Sequence, residues 1–138
     1  MVLQDRKGNA LIITLILLLI LTAMGIYAIS ISTTEMDIAL RSKVGTTTLN
    51  AAEAGAYYGI DQVPNVVTDC TANLQNGSSY KVSTVATSNF SLVPGYGANL
   101  GFEDFNVSST GSAPSAFSAT KEVEAVVNYG PLPMGTMY

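Results

Sequence analysis

Histidine is missing from this chain of 138 residues, which removes the usual general base, the commonest zinc ligand and every His-dependent catalytic triad. An enzyme would have to work with scattered carboxylates. Glu103 and Asp104 are adjacent, but they lack the spaced oxygen ligands of a calcium loop, so no metal, cofactor or catalytic residue is assigned. Cys70 is the one cysteine; it excludes an intrachain disulfide and reads as a small buried apolar residue. Cations are scarce as well. There are six Lys and Arg against ten Asp and Glu, for a net charge of −4, and Arg6 and Lys7 sit at the N-terminus, so no basic patch is left for nucleic acid.

The longest absence is of charge itself. From Gly8 to Thr34 the chain runs 27 residues without a charged side chain, and 13 of those between Leu11 and Ile31 are Leu or Ile. At about −0.3 to −0.6 kcal/mol each, these favour a bilayer by roughly 4 to 8 kcal/mol. Ala10 to Ile31 as a helix covers about 33 Å, against a hydrocarbon core of about 30 Å. The segment can span a membrane. Arg6 and Lys7 place residues 1–8 on the cytoplasmic side and the remainder outside, because positive charge is retained inside. A cleaved secretory signal is the rival, with Ala23-Met24-Gly25 as a small-x-small site, but its apolar core would end well before Ile31.

Beyond Thr34, charged residues interrupt a pattern that stays helical. Ile38, Leu49, Ala52, Ala56, Ile60 and Val63 project onto one arc, the stripe with which an amphipathic helix covers a small domain. Asp37 and Arg41 form a favourable i, i+4 pair on another face. Gly45 and Thr46-Thr47-Thr48 are poor helix formers and predict a bend or loosened turn. Pro64 then ends a helix that begins near Asn9. Residues 64–138 read as strands and turns. Glu122 to Tyr129 alternates, sending Val123, Ala125, Val127 and Tyr129 to one face; Tyr80 to Ala86 and Phe102 to Val107 are further strands. Asn76-Gly77 and Pro94-Gly95-Tyr96-Gly97 mark turns, Gly111 to Ser115 a loop, and Pro131 and Pro133 the end of the sheet. A few antiparallel strands need one face covered, and the striped helix is the available cover, so the expected fold class is α+β. Four segments follow: 1–8 leader, 9–34 membrane helix, 35–63 amphipathic continuation, 64–138 sheet domain.

Small residues recur along the helix. Ala51-Ala52-Glu53-Ala54-Gly55 and the region around Gly25 both let another helix approach closely. Tyr57 and Tyr58 are expected between helix and sheet. Asn76, Asn89 and Asn106 each begin an Asn-x-Ser sequon.

Taken with the basic leader ending in Gly8, these pieces resemble a type IV pilin-like protein, and most closely the PilX-like minor pilins. The matching blocks are Ala10-Leu11-Ile12, Leu18-Leu19-Ile20-Leu21-Thr22 and Ala51 to Gly55. The resemblance covers roughly residues 6 to 63. It implies a pilin-like fold, with a long N-terminal helix on a small antiparallel sheet. It also implies cleavage by a prepilin peptidase between Gly8 and Asn9, methylation of the new amino terminus, and an inner-membrane assembly platform that extracts the helix from lipid into a cell-surface filament of other pilin subunits, a fimbrium associated with cell adhesion. Gly25, Ile13 and Ala51 to Gly55 would then meet neighbouring helices, while Leu49, Ala52, Ala56, Ile60 and Val63 would pack on the sheet. Ile13 departs from the major-pilin pattern, which has a glutamate at the fifth mature position to neutralise a neighbour's amino terminus. A buried cationic terminus without a partner is costly, so endless self-stacking is disfavoured. A pseudopilin of a type II secretion machine, a secreted binding protein and a single-pass anchored domain that never polymerises remain open readings.

Overall fold

A computed structural model describes residues 5–97 and 99–133, with side chains from residue 9 onward. One helix, α1 (Asp5–Gln62), is followed by four strands: β1 (Cys70–Asn73), β2 (Ser79–Ser91), β3 (Leu100–Ser112) and β4 (Thr120–Pro133). The chain divides into two compact units, Met1–Arg41 and Ser42–Tyr138.

In the first unit α1 is bare. The large apolar residues from Leu11 to Ile31 are each between 41% and 69% exposed, so this is not the core helix of a soluble domain. Its threonine hydroxyls are satisfied within the helix: Thr14 donates to the Leu11 carbonyl and Thr22 to that of Leu18. That suits an apolar medium, where an unpaired hydroxyl is costly. The helix is long and apolar enough to cross a membrane.

The second unit holds the α+β core, in which the C-terminal part of α1 covers an antiparallel sheet of order β1-β2-β3-β4. Each strand pairs with its sequence neighbour, so the sheet is a meander. The turns carry the residues that such turns demand. Gly77 (φ 80°) and Gly95 (φ 99°) adopt the left-handed region, open to glycine without a Cβ penalty. Asn76 accepts through its side-chain oxygen from both the backbone N–H and the hydroxyl of Ser78. Inward-facing residues align across strands in rows: Val82, Ser109 and Val123; Thr84, Val107 and Ala125; Ala86, Phe105 and Val127. Val82, Val107 and Phe105 are buried to 2% exposure or less, and the Tyr129 ring meets Phe105 edge-on, 6.3 Å between centroids.

Several expectations are corrected. The helix continues without interruption through Gly45, and Thr46, Thr47 and Thr48 each donate to the carbonyl four residues back. Asp37 and Arg41 form no ion pair; among the described residues that role belongs to Lys81 and Asp69, 3.0 Å apart and exposed. The strands at 80–86 and 102–107 are longer than expected, and β1 was not foreseen, being four residues with no apolar alternation. Gly111 and Ser112 belong to β3 rather than a loop. Pro131 and Pro133 lie within β4; β4 is an edge strand, where a residue without an N–H can point outward and break no ladder bond. The helix does end at Gln62, just before Pro64.

Candidate functional site

The surface that helix and sheet share is built from the smallest side chains. Among the described side chains of α1, Thr48, Ala51, Ala52, Gly55, Ala56 and Gly59 are the buried positions. A Cβ on Gly59 would lie 2.6 Å from Val107 Cγ1 and 2.9 Å from Val82 Cγ2, and one on Gly55 would strike the Ser109 hydroxyl and, at 2.7 Å, the Tyr80 ring. On the strand side, a Cβ on Gly111 would collide with the Thr48 carbonyl and the Ala52 amide. As α1 advances from Ala52 through Gly55 to Gly59, β3 steps back from Gly111 through Ser109 to Val107. Three or four helical residues rise about 4.5 to 6 Å and two strand residues about 6.8 Å, so the small positions stay nearly in register along the seam. The Thr84 hydroxyl donates to the Gly59 carbonyl at 3.5 Å. Ser109 Oγ is buried against Gly55 and has no hydrogen-bond partner.

The seam is narrower and smaller-sided than the apolar stripe read from sequence. Ala52 and Ala56 are inside it and Val63 is half-buried, but Leu49 and Ile60 are 39% and 37% exposed and flank it, and Ile38 is exposed. Glycine carries no hydropathy signal, which is why Gly55 and Gly59 were absent from the stripe; their four-residue spacing is the signal that was there. Ala51, Ala52 and Gly55, expected to meet neighbouring helices, are enclosed under this chain's own sheet. Glu53 is exposed and Ala54 half-buried. Tyr57 is 73% exposed rather than packed, whereas the Tyr58 ring lies 6.3 Å from that of Tyr80. Cys70 is half-buried, not enclosed. It neighbours Tyr58, and electrostatic repulsion from the Cys70 side, with some desolvation, raises the Tyr58 phenol above its ordinary value.

The bare part of α1 offers a different surface. Asn9, Ile13 and Gly25 are all on exposed helix, and nothing stands within 4 Å of where a Gly25 Cβ would be. Thr14, Leu17, Leu18, Leu21 and Thr22 line a shallow apolar depression along it. Gly8 lies in helical backbone, while residues 1–4 of the leader are outside the described residues. Among the described residues no group of His, Cys, Asp and Glu is arranged to hold a metal ion.

Residues 7–56 match the family model described as PilX N-terminal. Neither a curated protein nor a solved structure is significantly similar to the chain. The matched segment starts beside Gly8, takes in the bare helix from Asn9 and stops within the seam, so all four strands lie outside it. Residues 7–56 are therefore similar to a PilX-type pilin N-terminal region.

Proposed function

We propose that this protein is a non-enzymatic minor subunit of a type IV pilus or a related pilin-like filament. The observation that carries the reading is the uncharged helix from Asn9 to Thr34, with its apolar side chains exposed, inside a PilX N-terminal match. Lipid covers that surface before assembly and neighbouring pilin helices cover it afterwards. In this reading a prepilin peptidase removes residues 1–8 on the cytoplasmic side, the assembly platform of the inner membrane receives the mature chain, and the sheet domain stands outside the cell. Gly8 presents no side chain to the peptidase cleft. Ile13 fits a scarce or tip-located subunit: in a low-dielectric bundle a carboxylate opposite a neighbour's ammonium gains strongly, and an isoleucine leaves that charge unmatched.

N-terminal sequencing and intact mass of the chain from its native membrane test the reading. A start at Asn9 supports it, and Gly8→Leu should then accumulate as uncut precursor. A start near Ile26 would make the chain a secreted protein, and an uncleaved wild-type terminus would make it an anchored one.

A further inference from the structure

Among the described residues β4 closes one side of the sheet with no strand beyond it, so alternate residues turn their N–H and C=O groups away from β3 toward an open edge. Proteins guard such edges with prolines, charges and bulges. Here Pro131 and Pro133 guard one end and Lys121 the other, while the register with β3 is regular from Tyr129 to Thr120. The stretch from Val123 to Tyr129 is therefore a regularly paired, proline-free template. Beside it lies a groove of about 250 Å³, lined by Glu53, Ala56, Tyr57 and Ile60 of α1 and Val123 and Ala125 of β4.

The two faces of this edge differ in chemistry. Val123, Ala125 and Val127 are half-buried and turn inward; Glu122, Glu124 and Val126 are exposed on the other face. The Ser108 hydroxyl donates to Glu122 Oε1 at 3.0 Å, holding that carboxylate over the outer face. A strand added to β4 has the same two-residue period. Its inward side chains would enter the groove, and its outward ones would stand opposite Glu122 and Glu124, where opposite charges attract. We propose that the β4 edge is a recognition site for an extended segment of another protein in which apolar residues alternate with lysine or arginine. A second copy of this chain does not qualify. Its cations are at positions 6, 7, 41, 43, 81 and 121, and none lies in such an alternation.

The test uses the full chain in nonionic detergent and a fluorescent octapeptide of alternating valine and lysine, read by anisotropy and by amide exchange. The expected result is saturable binding that protects amides between Val123 and Tyr129. Replacing lysine by glutamate in the peptide, or introducing E122K and E124K together, should weaken it by about tenfold or more, and added salt should weaken it as well. Both glutamates are exposed, so the variant should melt like the wild type. Absence of binding, undiminished binding to the charge-reversed variant, or protection confined to β1 or to the bare helix would each overturn the proposal.

Discussion

Gly59→Ala should destabilise the sheet domain, although glycine to alanine inside a helix normally does the opposite. On an open helix surface the change is worth about 1 kcal/mol of stabilisation. At Gly59 the new methyl would lie 2.6 Å from Val107 Cγ1, 2.9 Å from Val82 Cγ2 and 3.1 Å from Thr84 Oγ1. Val107 and Val82 are 1% and 0% exposed, so neither can rotate away without displacing a further buried group. Overpacking of that kind costs about 1 to 3 kcal/mol. The net expectation is a loss of up to about 2 kcal/mol, with a fall in melting temperature of about 4 to 8 °C for each kcal/mol in a domain of this size. Gly45→Ala is the internal control: it sits in the same helix with nothing within 4 Å of the added carbon, and should gain up to about 1 kcal/mol. Urea and thermal unfolding of a soluble fragment beginning at Glu35, carrying each substitution in turn, measure both. If Gly59→Ala and Gly45→Ala shift stability in the same upward direction, the helix does not approach the sheet as closely as the seam requires, and the reasoning fails.

The remaining expectations concern the same seam, the Tyr58 phenol and the role in a filament. Ala52→Asp places an unpaired charge at a fully buried position and should cost more than about 3 kcal/mol; an unchanged melting temperature would show that this face is open to water. Ser109→Ala should raise stability by about 1 kcal/mol or more, since it deletes a buried hydroxyl without a partner at nearly constant shape. Because electrostatic repulsion from the Cys70 side and some desolvation raise the Tyr58 phenol, Tyr58 favours folding in its neutral form; that contribution is complete below the ordinary tyrosine value and lost as pH rises through the raised one. Cys70→Ser should move the Tyr58 transition back down in an alkaline spectrophotometric titration. Quantitative mass spectrometry of purified filaments should find this chain at a small fraction of the main subunit, and its predominance along the shaft would refute the role given to Ile13.

The bare helix was legible in the sequence because its signal is one-dimensional. Absence of charge from Gly8 to Thr34 and a run of Leu and Ile mean the same thing whatever the rest of the chain does, since the partition between lipid and water is decided residue by residue. Local chemistry likewise marked the turns at Gly77 and Gly95, the helix end before Pro64 and the alternating strand around Val123 to Tyr129. The seam was only half visible. Hydropathy pointed to Leu49 and Ile60, but close approach between a helix and a sheet selects for small volume, and the buried positions went to Gly55, Gly59 and Ala51. Tertiary structure also decided that β4 is an edge, and therefore that Pro131 and Pro133 can remain within it. It also brought Glu53, Tyr57, Val123 and Ala125 to one groove, because which residues share a surface depends on pairing order and register between segments far apart in the chain.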